Sequence, residues 1–191
     1  HLAPVSVLKP LCGAEPHLYE NLAGLCRQDY PDYQLVFGVC AYDDPAITVV
    51  NRLRKAFPER DIVLIVDART HGRNPKVSNL INLYRAARHA HLVIADSDIA
   101  VPPDYLRRLA GPLSDPHVGV VTCLYRGRPV DGIWSRLGAA FINEWFAPSV
   151  RVAHAGGSRR FAFGATIALC RDTLNAIGGF RALANRLADD Y

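Results

Sequence analysis

Two carboxylates separated by one residue, Asp96-Ser97-Asp98, follow directly on the apolar run Leu92–Ala95. Alternate residues at a strand end project to one side, so both carboxylates can face one cation. Mg²⁺ and Mn²⁺ take oxygen ligands and often use one or two carboxylates, with substrate phosphates completing the shell. With fourteen Asp in the chain, a D-x-D somewhere is expected by chance. Its position raises it: two charges at the end of a buried strand are costly without an ion or partner. The alternative is a solvated turn with Asp98 near a helix start.

Other candidates also follow apolar runs: Lys9, Asp43-Asp44 and Asp67, with Asp189-Asp190 at the chain end. Asp44 precedes Pro45, and on local chemistry alone it reads as a helix cap. The same carboxylate could also accept a hydrogen bond from a base or ribose. Lys76 falls in the first turn of a helix opened by His71-Gly72-Arg73-Asn74-Pro75, where the dipole favours an acid. A cation there fits either an anionic ligand at the helix N-terminus or a solvated lysine. Both tryptophans, Trp134 and Trp145, lie in Gly132–Phe146, and a spacing of eleven puts them on one helical face. Arginine-bearing loops flank that stretch, a combination suited to a membrane interface. In isolation, an ordinary amphipathic helix packed on a sheet accounts for it as well.

These residues need elements to position them. Val5–Lys9, Gln34–Ala41, Ile62–Val66, Leu92–Ala95 and Val118–Leu124 read as apolar strands. Helical spacing occupies Pro16–Arg27, a segment opened by Pro45, Pro75–His89 and Pro102–Leu113. The βαβαβαβαβ order with near-continuously apolar strands predicts an α/β fold, a mostly parallel sheet covered on both faces by helices. After Tyr125 the pattern changes: a candidate helix Gly132–Phe146, a basic loop Arg151–Arg160, a strand Phe163–Cys170 and a helix Arg171–Ile177. Gly178-Gly179-Phe180 then reads as a helix cap and tight turn. Ligands of such a sheet bind beyond the carboxyl ends of its strands, where the candidates lie.

The chain has 191 residues, half of them apolar, and 21% are charged, which excludes a disordered tail. Its length suits one domain. No apolar run approaches the ~20 residues of a membrane span. With no Met and His1 as its first residue, it reads as a piece of something longer. Net charge is +4, too mild to argue for nucleic acid. The surplus is local: six Arg between Arg126 and Arg160 face only Asp131 and Glu144. Five Cys without C-x-x-C spacing read as buried reduced thiols, not a zinc site. The first strand runs into KPLCGAEP instead of G-x-G-x-x-G, which argues against a dinucleotide-binding dehydrogenase.

Taken together, VSVLKPLCG, LCRQDYPDYQLVFGV, DDPA, HGRNPKVSNL, DSDI, FGATIALCRDTLNAIGGF and LADDY resemble the ceramide glucosyltransferase family in order and spacing. The similarity is greatest to its bacterial relatives, including the hopanoid-associated glycosyltransferases, and spans Val5 to Tyr191. KPL, NPK-x-x-N and DDY are fairly specific to this group; D-x-D and GGF belong to inverting nucleotide-sugar transferases generally. The resemblance implies a GT-A fold with a Rossmann-like sheet, filling residues 1–191 as one domain. Residues 1–125 would be its nucleotide-sugar-binding half and 126–191 its acceptor half.

It further implies a UDP-sugar donor, a divalent metal (Mg²⁺ or Mn²⁺), a membrane lipid acceptor (ceramide or hopanoid) and no nucleic-acid partner. By position, Asp44 would contact the nucleotide, Asp96 and Asp98 would be the metal and diphosphate carboxylates, and Asp190 the general base beside Asp189. Lys9, Pro10, Lys76 and Asn79 would lie by the donor, and Gly164, Ala165 and Asp189 by the donor sugar and acceptor. Trp134 and Trp145 would lie on the lipid side. The family pattern continues to a Q/R-x-x-R-W motif and membrane segments. The expected whole is thus an integral protein of the bacterial inner membrane, anchored before His1, with this domain on the cytoplasmic face. The residues leave open a polysaccharide or other lipid-carrier acceptor, and a non-catalytic nucleotide-sugar-binding domain.

Overall fold

The computed structural model describes residues 2–158 and 162–186. A six-stranded sheet is built from β1 (Val5–Pro10), β2 (Tyr33–Val39), β3 (Asp61–Val66), β4 (His91–Ala95), β5 (Val120–Thr122) and β6 (Thr166–Cys170). Its order is β3-β2-β1-β4-β6-β5. The first four strands are parallel, whereas β6 runs antiparallel to both β4 and β5. The expected mostly parallel α/β sheet is therefore present.

Every residue of β2 is buried, as is every residue of β1 before Pro10. That is the consequence of helices on both faces. Val5, Val7, Leu35 and Phe37 join a core cluster with α1 (Leu18–Cys26), α2 (Ala46–Ala56) and α4 (Tyr105–Leu113). Leu8, Val36 and Leu92 turn to the other face, against α3 (Pro75–Tyr84) and the segment ending in Phe180.

Several boundaries differ from the sequence expectation, each for a local reason. The helix expected over Pro75–His89 stops at Tyr84, because the N–H groups of Arg88 and His89 turn to Ser6 and Gln34 side chains (3.0–3.2 Å). The fifth strand shrinks to three residues, as an edge strand pairing with β6 alone. Cys12 and Cys40 are exposed, against the expectation of buried thiols, while Cys26 is buried.

The largest departure follows Tyr125. The expected helix Gly132–Phe146 is α5 (Gly132–Ala140) followed by a π-helical segment, Phe141–Phe146. It then continues as α6 (Ala147–Ala155), so half of the expected basic loop Arg151–Arg160 is helical. Pro148 lies in the first turn of α6, and the wider π turn before it accommodates the residue that would otherwise clash with the preceding turn. The π turn also breaks the 3.6-residue spacing from which one shared tryptophan face was predicted. Nor does this arm pack on the sheet as an ordinary amphipathic helix: its buried residues are Ala139 and Ala147. After β6 comes α7 (Arg171–Ala176), closed by Gly178 and Gly179 at φ 90° and 69°, the predicted cap and turn.

Candidate active site

The strand order reverses between β1 and β4: the chain goes from β1 outward to β2 and β3, then returns to place β4 on the other side. A crevice opens at such a reversal beyond the carboxyl ends of the strands. Lys9 is next to last in β1, and Asp96 follows the last residue of β4, so the two bracket it.

Lys9 is fully buried, and its ammonium has no hydrogen-bond partner among the described residues. Burial lowers its pKa from 10.5 to about 8, opposed by the negative charges of Asp96, Asp98 and Glu15. A buried cation unmatched by direct contact is costly, and such groups are kept where a ligand supplies the missing acceptor. Across the crevice, Lys76 Nζ pairs with Asp96 Oδ1 at 2.8 Å. Lys76 reaches it from the first turn of α3, as a partly exposed ion pair that neither sequence alternative for this lysine named.

The loop carrying the carboxylates is held from two sides. Asp96 N–H donates to the Ala165 carbonyl at 3.2 Å, and Ser97 Oγ donates to Glu15 Oε2 at 2.7 Å. The Gly164–Ala165 turn is fixed in turn by Thr122, whose hydroxyl accepts from Phe163 N–H at 2.8 Å. Asp98 is exposed at the end of this loop. Asp44 does cap its helix, accepting from Ala46 N–H at 2.8 Å. Both its oxygens also accept from Gly13 N–H at 3.1 Å, tying the loop after β1 to the loop after β2.

Lys9, Asp96, Asp98, Lys76, Gly164 and Ala165 are thus brought together. Pro10 lies beside them, in register with Gly38 of β2. Asn79 has a different place: buried in α3, it donates to the Gly38 carbonyl at 2.9 Å and so helps hold α3 against β2. Trp134 and Trp145 belong to the outer arm. Asp189 and Asp190 lie outside the described residues.

Sequence reasoning missed Glu15, which touches the carboxylate loop and adds its charge to the field at Lys9. Its signal was weak, a lone acid before Pro16. It also missed Arg69, which grips Asp67 with two nitrogens and holds that carboxyl near pKa 2. Asn82 Nδ2 secures the same loop by donating to the Asp67 and Arg69 carbonyls.

The donor set available to an ion is the Asp96–Asp98 pair, oxygen ligands at a strand end. That is the chemistry of a hard divalent cation such as Mg²⁺ or Mn²⁺, so the residues fit one.

A family model described as Glycosyl transferase family 21 matches residues 1–191. The chain belongs to glycosyl transferase family 21, the ceramide glucosyltransferases. It is 30% identical over 194 residues to ceramide glucosyltransferase 3 of Caenorhabditis elegans, covering all of this chain and 41% of that protein. The ceramide glucosyltransferase of Gibberella zeae is 32% identical over 125 residues, covering 60% of this chain and 24% of the relative. The family chain described here thus spans about two fifths of the length of its nematode relative. Among solved structures, a mannosyltransferase from Pyrobaculum calidifontis in complex with GDP-Man and Mn²⁺ aligns with TM-score 0.72 and 25% identity, covering 94% of this chain and 48% of the other. Staphylococcus aureus TarS in complex with UDP-GlcNAc shares the fold alone: TM-score 0.53, 20% identity, 68% of this chain and 36% of the other. The expected GT-A fold is the fold of this family member.

Proposed function

We propose that this chain is the catalytic domain of an inverting glycosyltransferase that moves a hexose from a UDP-sugar to a hydroxyl of a membrane lipid, ceramide or hopanoid, at the cytosolic membrane face. The observation that carries the proposal is the buried Lys9 ammonium, without a hydrogen-bond partner among the described residues, beside the Lys76–Asp96 pair at the β1/β4 reversal. Two cations and two carboxylates around one crevice suit a diphosphate and its cation. Family membership supports the reaction class, and the mannosyltransferase neighbour, solved with a nucleotide sugar and Mn²⁺, supports the donor class and the metal.

In this reading Lys9 meets a donor oxygen from the floor of the crevice and Lys76 meets the diphosphate from its α3 side. Asp96 and Asp98 would hold the ion, which when bound neutralises charge developing on the departing diphosphate. Asp44, already clamped to Gly13 and Ala46, would turn its outer edge to the nucleoside. Gly164 and Ala165 shape the wall by the donor sugar. The backbone of that turn, fixed by Thr122 and Asp96, keeps the wall from shifting when the sugar enters.

Asp190 would take the proton of the acceptor hydroxyl. A hydroxyl is a poor nucleophile until that proton leaves, and a carboxylate within ~3 Å contributes about 10²–10⁴-fold. Attack from the face opposite the diphosphate is a single displacement and inverts the anomeric carbon. Support for Asp190 comes from its place as the second Asp of the LADDY motif. The Arg186 carbonyl accepts from Asn74 Nδ2 at 3.0 Å, which ties the last described residues to the loop that opens α3.

The test is a transfer assay on the full-length protein in membranes, with UDP-glucose, UDP-N-acetylglucosamine, UDP-galactose, UDP-glucuronate and GDP-mannose against ceramide and hopanoid acceptors, the product identified by mass spectrometry. One UDP-sugar is expected to label a lipid with inverted configuration, and Asp190→Asn to slow this by about 10²–10⁴-fold. No transfer from any UDP-sugar, or full activity of the Asn variant, would overturn the assignment.

A further inference from the structure

The arm from Gly132 to Ala155 presents a surface that the transfer chemistry does not use. Ile133, Trp134, Leu137, Phe141, Trp145 and Val152 are all exposed, Trp134 by 82%, Phe141 by 61% and Trp145 by 51%. Scattered exposed apolar residues are ordinary; six large ones within twenty residues of one helical arm are not. The arm is also firmly seated at one edge. Asn143 exchanges two hydrogen bonds of 2.9 Å with the backbone of Gly127. A Cβ at Gly127 would come within 2.6 Å of the Ala139 Cα, so the two backbones are in close approach. Phe146 packs between Tyr125 and Phe163, with ring centroids 5.6 and 5.7 Å away. The arm is thus held by its inner edge while its outer residues find no cover among the described residues.

Charge selects what covers it. Arg126, Arg128, Arg136 and Arg151 are exposed on or beside the arm, against Asp131 and Glu144. At its base a cleft of about 410 Å³ is lined by Tyr125, Arg126, Asn143, Glu144 and Arg151, among others. A second copy of the arm would bring arginine against arginine. An anionic lipid surface meets both features at once: headgroup phosphates take the guanidiniums, and the aromatic and aliphatic side chains enter the acyl boundary. No helix among the described residues is long and apolar enough to cross a membrane, and the mixture of exposed Arg with Trp and Phe belongs to a helix lying in the interface plane.

We propose that the Gly132–Ala155 arm is a docking surface for an anionic phospholipid leaflet, with the Arg126–Arg151 cleft seating a phosphate headgroup. This rests on the lipid-acceptor reading above only for its purpose, which is to set the acceptor half of the crevice against the bilayer. Its test is separable from catalysis, because it uses vesicles that contain no acceptor lipid.

The chain's two tryptophans are both on the arm, so its intrinsic tryptophan emission reports this surface alone. Phosphatidylcholine vesicles with and without phosphatidylglycerol, some carrying brominated acyl chains, are titrated into the chain. With phosphatidylglycerol present the emission shifts to the blue and is quenched by the brominated chains. Affinity exceeds that for pure phosphatidylcholine at least about tenfold, and added salt removes the difference. Leu137→Ser with Phe141→Ser weakens binding while both tryptophans still report, and Arg126→Ala with Arg151→Ala removes the preference for phosphatidylglycerol. Melting curves of these variants match the parent, which separates lost docking from lost folding. Three results would each overturn the proposal: emission indifferent to both vesicle types, equal affinity for both, or a lipid-free, concentration-dependent dimer that already shields the tryptophans.

Discussion

Burying a lysine on a central strand costs free energy in every molecule that folds, whether or not a ligand is present. Lys9 shows that cost in its pKa, lowered to about 8 by desolvation against the pull of Asp96, Asp98 and Glu15. Lys9→Met keeps the length of the side chain and removes the charge. The variant is expected to be more stable than the parent at neutral pH by about 1–3 kcal/mol. The sign of the pH dependence follows from linkage. Below about pH 8 the group is protonated in both states and the penalty is complete. Between about 8 and the ordinary 10.5, the unfolded chain binds more protons, so the parent gains stability as pH rises and the gap to the variant closes. Denaturant melts of both proteins from pH 7 to 10 check this; a less stable variant at pH 7 would mean that Lys9 has a fold-stabilising partner after all. Local chemistry made D-x-D legible and marked Lys9 only as a cation after a strand. The two facts that give Lys9 meaning, burial and the absence of an acceptor among the described residues, depend on packing and no spacing rule carries them. The Gly13–Asp44 bond, spanning 31 positions, was equally out of reach.

At the scale of elements, Asn74 joins α3 to residues 184–186. Its side-chain oxygen caps α3 by accepting from Val77 N–H at 3.1 Å. Its amide nitrogen donates to the Arg186 carbonyl, and its backbone N–H to the Ala184 carbonyl at 2.9 Å. Asn74→Asp separates the two duties, since a carboxylate still caps a helix but cannot donate to Arg186. In the full-length enzyme it is expected to melt close to the parent yet to lower kcat, with the KM for the donor changing less. Unchanged kcat would show that the Asn74–Arg186 bond has no part in turnover. Helix starts were the more readable boundaries, because Pro45 and Asn74-Pro75 announce them chemically. Helix ends were read less well. α3 does not run on to His89 because Ser6 and Gln34, distant in sequence, claim the N–H groups of Arg88 and His89, and the arm runs on because a π turn makes room for Pro148. Both are tertiary effects acting on local preferences.

For the whole molecule, the alternation of apolar strands and helices was sufficient to foresee an α/β sheet, and the motif order to foresee its family. What alternation does not encode is strand order. The insertion of β6 between β4 and β5 is a long-range event: it brings a strand from beyond residue 126 into the sheet beside the carboxylate loop, and so sets the Gly164–Ala165 turn against Asp96. The two halves expected from the sequence therefore share one sheet, and the crevice depends on both. That crevice makes the central claim measurable. Calorimetric titration of UDP with Mn²⁺ into the parent, Lys9→Met and Asp96→Asn chains tests it most directly. The account predicts Mn²⁺-dependent binding by the parent, weakened at least about tenfold in each variant while both remain folded, as expected when a charged contact to a phosphate is lost. Equal affinity in all three proteins would contradict it and place the nucleotide elsewhere.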